Sequence, residues 1–126
     1  MNYLAIDYGQ KRIGIARSVG SFAEPVSIIH NNAEALKHIA ELCAEFQIDE
    51  IVSGLSEGQM AEETKVFANE LAEKVNLPIH FFDETMSSKE VEKMIRESGK
   101  KMKDRGEPID HYAAAHVLQQ FLNELS

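Results

Sequence analysis

Residues 3–16, Tyr3-Leu4-Ala5-Ile6-Asp7-Tyr8-Gly9-Gln10-Lys11-Arg12-Ile13-Gly14-Ile15-Ala16, decide the fold. An apolar run ends on one acid, a glycine-containing turn follows, and Ile13 and Ile15 then alternate with Gly14 and Ala16. That is the pattern of a strand hairpin with Asp7 at its mouth. A carboxylate at the open end of a central strand is rigidly mounted and reachable by solvent, so it can hold a divalent cation through oxygen ligands. Asp also suits turn geometry, so capping the turn is the other role open to Asp7, and one acid alone makes no metal site.

Outward from the hairpin, residues 18–24 have the composition of a turn, and 25–29 form a short third strand with Pro25 at its start, where no ladder donor is needed. Asn31 or Asn32 can cap a helix that buries Leu36, Ile39, Cys43 and Phe46, and residues 50–54 make a fourth strand. The helix between strands makes a crossover, so strand four should run parallel to a neighbour. Ala61, Thr64, Phe67, Ala68, Leu71, Ala72 and Val75 mark a second amphipathic helix. A fifth strand, 78–83, closes on Asp83-Glu84. Ser87 and Glu90 form a capping box for a helix carrying Val91, Met94 and Ile95, which Gly99 ends, and 99–108 lacks periodicity and should be a loop. Asp110 opens a last helix with Ala114, Val117, Leu118, Phe121, Leu122 and Leu125 on one face. The expected architecture is α/β: one domain over 1–126, with a mixed five-stranded sheet of three antiparallel strands and two parallel crossovers, flanked by helices.

With 44% hydrophobic and 27% charged residues the composition is that of a globular domain with a real core. No apolar run approaches membrane-spanning length and no secretory leader is evident, so the expected location is the cytoplasm, with no membrane partner. The single cysteine, Cys43, excludes an intrachain disulfide and a multi-thiolate zinc site, and its helical spacing assigns it to the core. His111 and His116 are five apart and do not share a helix face as a zinc pair would. Tyr8 can stack on a base or pack, and packing is the expectation.

The net charge of −8 argues against coating nucleic acid through bulk attraction, but the charge is unevenly spread. Residues 19–87 carry −10, whereas 88–105 carry +3 and 1–18 carry +2. Lys11, Arg12 and Arg17 lie in the hairpin, and Lys100, Lys101 and Lys103 in the basic run. Such runs are either solvated surface or contacts for phosphate.

In a sheet of this order, ligands bind beyond the carboxyl ends of the parallel strands, where Asp7, Glu57 and Asp83-Glu84 fall. Two or three carboxylates around Mg²⁺ or Mn²⁺ can seat a phosphodiester, activate water on one side and stabilise the leaving oxygen on the other. The sequence therefore offers both the acids and the cations that nuclease chemistry needs.

Taken together, DYGQKRIGIA at 7–16, GLSEG at 54–58, DETMSS at 83–88 and DHYAAAHVLQ at 110–119 resemble the YqgF (RuvX) family of the RNase H-like superfamily, in order and over the whole chain. The resemblance implies an RNase H-like fold and a nuclease that processes the precursor of 16S ribosomal RNA; by similarity to RuvC the family has also been assigned Holliday junction resolution. It makes Asp7, Glu84 and Asp110 the catalytic, metal-binding acids, and puts Lys11 and Arg12 where substrate phosphates would be met. Thr85 and Ser56 stand where the family has Arg and Pro, so a fixed positive fork beside Glu84 is lost. Strand five should lie one strand beyond strand four, about 10 Å from Asp7 at roughly 4.8 Å per strand, so Glu84 must reach inward. Glu57 is the replacement ligand if it does not.

The expectation is a hydrolase acting on structured RNA, with branched DNA as the alternative substrate and a non-catalytic nucleic-acid-binding domain as the alternative of another class. A resolvase would act as a homodimer, whereas an RNA nuclease can be a monomer. An actin- or sugar-kinase-like ATPase shares the Asp-x-Gly hairpin but needs two such domains, for which this chain is too short.

Overall fold

The structure, a computed structural model, describes residues 1–55, 59–83 and 110–125. Within these residues the elements are β1 (Tyr3–Asp7), β2 (Arg12–Val19), β3 (Phe22–His30), α1 (Ala35–Glu45), β4 (Glu50–Leu55), α2 (Gln59–Val75), β5 (Ile79–Asp83) and α3 (Asp110–Leu125). The strands form one mixed sheet in the order β3-β2-β1-β4-β5, with β1, β2 and β3 antiparallel and β4 and β5 joined in parallel to β1 and to each other. The expected helix after Ser87 and the loop 99–108 lie outside the described residues.

Strand alternation sorts the core into two layers. Leu4, Ile6, Ile13, Ile15 and Ile51 face α1 and α2, meeting Ile39, Cys43, Ala68 and Leu71. Tyr3, Ala5, Ala16 and Val52 face the other way, onto Ala114, Ala115, Val117 and Leu118 of α3. The two faces differ in side-chain size. Aliphatic bulk fills the α1/α2 side, while alanines on both partners let α3 settle close to β1 and β2.

Some of the sequence expectations need correction. Residues 18–24 are not a turn: β2 runs to Val19, β3 begins at Phe22, and only Gly20 and Ser21 turn the chain, with Gly20 at φ +64°. Pro25 therefore sits inside β3. It is tolerated there because β3 is an edge strand and carries a bulge beside Pro25: Ile15 pairs with Ser27 and Ala16 with Pro25, which leaves Val26 as the extra residue and interrupts the ladder. Neither Asn31 nor Asn32 is the N-cap of α1; that position is Glu34, and the Asn32 side-chain oxygen instead accepts from the Glu34 N–H at 2.9 Å in a turn just before the helix. Leu125 stands exposed rather than on the inner face of α3.

The direction of α3 decides which end of the sheet its first residue reaches. Its Phe121 ring meets Tyr3, the first residue of β1, edge-on at 5.2 Å between centroids. Gln119 accepts from the Ala23 N–H at 2.9 Å and donates to the Ser21 carbonyl at 3.0 Å, tying the same end of α3 to the β2–β3 turn. The helix thus runs antiparallel to β1. Eleven residues back from Phe121, at about 1.5 Å each, Asp110 is carried toward the carboxyl end of β1.

Candidate active site

Asp7 is the last residue of β1, the central strand of the sheet. The alternation that buries Leu4 and Ile6 against α1 and α2 puts Asp7 on the opposite face, the one α3 covers. In the register, Asp7 pairs with Gly14 of β2. On the other side Ile6 pairs with Ser53 of β4, and the next step sets Gly54 beside Asp7. Half-buried Asp7 is flanked across both ladders by residues with no side chain. Beyond Gly54 in the same row is Phe82 of β5, which closes the floor with an aromatic ring.

The turn after Asp7 is tightly built. A Cβ placed on Gly9 would lie 2.5 Å from the Arg12 carbonyl oxygen, so no side chain fits there. Asn31, just past the end of β3, donates from its side-chain nitrogen to the Gly9 carbonyl at 2.8 Å and from its N–H to the Lys11 carbonyl at 2.8 Å. Gln10 reaches the Glu63 carboxylate of α2 at 3.2 Å. Lys11 and Arg12 stand exposed on this turn and at the start of β2. Arg17, the third hairpin cation, is elsewhere. It lies near the far end of β2, 2.9 Å from Glu24 and with its guanidinium 4.4 Å from the centre of the Phe46 ring.

Charge is partitioned around this edge. Tyr8 packs on Phe67 at 5.1 Å rather than standing free for a base, and the groove they share, about 330 Å³, is rimmed by Glu62, Glu63 and Glu70. The α2 side of the hairpin is thus acidic and the Lys11–Arg12 side basic. His80 is also accounted for away from the site: it pairs with Glu50 and lies 5.4 Å from the Phe121 ring.

Of the acids expected to act together, the structure describes the placement of Asp7 and the backbone position of Asp110, the first residue of α3. Glu84 and Glu57 lie outside the described residues, as do Lys100, Lys101 and Lys103. Strand order bears on Glu84: β4 does lie between β1 and β5, and Asp83, the residue before Glu84, pairs with Leu55 at the end of the β5 ladder. Among the described residues no three His, Cys, Asp or Glu side chains gather as a metal cluster. Asp7 by itself makes no metal site, but its carboxylate at the strand mouth is of the oxygen type a hard cation takes. The glycine flanks and the Asn31 clamp are features around Asp7 that reading the sequence residue by residue misses; strand register is the signal that could have located the first.

A mixed 3-2-1-4-5 sheet with an acid at the end of its central strand and a helix antiparallel across it defines an RNase H-like protein. The solved structures agree: Thermus thermophilus RuvC in complex with Holliday junction substrate superposes with a TM-score of 0.68 at 13% identity, covering 99% of this chain and 95% of that one. Thermus thermophilus RuvC in a second structure gives 0.62 at 14% identity, covering 97% and 94%. The sequence comparisons are narrower. Residues 1–124 match the model of the family described as RuvX: Holliday junction resolvase. A relative from Syntrophomonas wolfei, provisionally named a pre-16S rRNA nuclease, is 40% identical over 133 residues, covering 98% of this chain and 94% of its own. One from Clostridium acetobutylicum with the same provisional name is 31% identical over 135 residues, covering 99% and 100%. The chain belongs to the RuvX family, a family of nucleases.

Proposed function

We propose that this protein is a divalent-metal-dependent endonuclease that hydrolyses phosphodiester bonds in structured RNA, with the precursor of 16S ribosomal RNA as its substrate. The observation that carries the reading is the setting of Asp7, at the end of the central strand between Gly14 and Gly54 and on the face covered by α3. The names of the full-length relatives support the choice of RNA. Asp7, Glu84 and Asp110 would hold Mg²⁺ or Mn²⁺, with Glu57 as the replacement for Glu84. When bound, such ions supply Lewis acidity for both the attacking and leaving oxygens of the phosphodiester.

The chain's own residues do the rest. Asp7 presents its carboxylate from a strand fixed on both sides by ladders, so its position costs no reorganisation at the moment of reaction. Lys11 and Arg12 draw the nucleic-acid backbone to the hairpin side, and Lys100, Lys101 and Lys103 extend the contact. The glutamates of α2 keep it off the opposite side. The family's description as a Holliday junction resolvase keeps branched DNA as the second substrate, which would call for two copies of the chain cutting symmetric strands.

The test is cleavage of a precursor 16S RNA fragment and of a four-way DNA junction with added Mg²⁺ or Mn²⁺, by the wild type and by Asp7→Asn. Metal-dependent cutting of the RNA, reduced to background by Asp7→Asn, is the expected result. Cutting of the junction alone would move the assignment to resolution. Binding of RNA without cutting of either substrate would make the protein a non-catalytic binder, and Thr85→Arg would be the first variant to restore the missing cation.

A further inference from the structure

We propose that Asn31 is the positioning residue for phosphate contact, holding the turn that presents Lys11 and Arg12 beside Asp7; this rests on the proposed nuclease function. Its side chain and its backbone both donate to the turn, at 2.8 Å to the Gly9 carbonyl and 2.8 Å to the Lys11 carbonyl. Arg12 pairs with His30, so Asn31 extends the β2–β3 ladder one step into the loop and grips it at two points.

Among the described residues the turn is otherwise tied by the packing of Tyr8 on Phe67 and by one side-chain bond. Gly9 lacks a side chain that could anchor it, and its tight approach to the Arg12 carbonyl leaves one compact path for the chain. The Gln10 bond to Glu63 is exposed at 3.2 Å and competes with water. Asn31 is half-buried, so its bond to Gly9 is better shielded. With both carbonyls drawn toward Asn31, Lys11 is held exposed at the mouth. A primary amide can donate here while the N–H of the same residue continues the ladder; an apolar residue of similar size keeps only the second bond.

The experiment is equilibrium binding of a precursor 16S RNA fragment across a salt series, using Lys11→Ala, Asn31→Ala and the double variant, with circular dichroism to verify folding. Lys11→Ala should weaken binding and lower the salt slope by about one. Asn31→Ala should weaken binding several-fold with a similar loss of slope, and should add little once Lys11 is already alanine, a coupling that general destabilisation does not produce. Should Asn31→Ala fail to fold, Asn31→Ser, which keeps a small polar side chain at the end of β3, takes its place in the same cycle. Additive effects, or an unchanged slope in a folded Asn31 variant, would overturn the positioning role alone. No effect of Lys11→Ala would overturn the phosphate-contact reading, and the role of Asn31 with it.

Discussion

At the scale of single residues, Gly9, two positions after the hairpin aspartate, has no room for a side chain. A methyl group on Gly9 would have to displace the Arg12 carbonyl, which is backbone and cannot swing aside. Gly9→Ala should therefore cost about 1–3 kcal/mol of stability, as overpacking does. Because the shifted turn carries Lys11, RNA affinity should fall with it; urea unfolding and RNA binding measured on the same preparation check both. Cys43 gives a second prediction. Burial on the inner face of α1 pushes its thiol up to about 11, so the folded protein keeps it neutral where an unfolded chain would ionise it from about 9. Its contribution to stability is whole below the unfolded value and is lost as pH rises from there through the folded one. Urea midpoints of the wild type should drop more steeply between those pH values than those of Cys43→Ala, the difference cancelling the lysines and tyrosines that titrate in both.

At the scale of elements, α3 is the part on which the site depends. It lies on Ala5 and Ala16 with its own Ala114 and Ala115, and Gly14, buried one step from Asp7, shares that surface. Ala114→Leu forces three extra carbons into a fully buried contact, which should cost about 1–3 kcal/mol and lift the helix that begins at Asp110. The expected signature is a loss of cleavage larger than the loss of fold, compared with Glu124→Leu on the exposed side of the same helix. The start of α3 and its inner face, Leu125 excepted, are legible in the sequence, because its apolar residues repeat with helical period. The long β2–β3 hairpin is not. Pro25 signals a strand start, and only pairing across the sheet shows that an edge position and a bulge opposite Ala16 allow it in mid-strand. Asn31 misleads for a related reason, since an asparagine before a helix usually caps it, whereas here it serves the loop 22 residues earlier. Asp7 itself is legible from one strand. Its glycine neighbours are not, because they become neighbours only through the registers of β2 and β4.

For the whole molecule the governing quantity is where the charge lies. A protein of net charge −8 repels RNA at long range, so binding must come from a few cations set where the acidic surface is interrupted. On the proposed function Lys11 and Arg12 form one such place, beside a helix that carries Glu62, Glu63 and Glu70. The sequence supplies a second in 88–105, with Lys100, Lys101 and Lys103. Each phosphate neutralised contributes about −0.7 to −0.9 to the dependence of log affinity on log salt, so five cations engaged together give a slope near −4. Replacing Lys100, Lys101 and Lys103 with alanine should bring it to about −1.5, the share of two contacts, while leaving metal-dependent cleavage at low salt in place. A slope that stays near −4 in the triple variant would mean that the basic run is solvated surface and that other cations hold the RNA. A slope near −1.5 already in the wild type would confine the contact to the hairpin, and Lys11→Ala combined with Arg12→Ala should then abolish the salt dependence altogether.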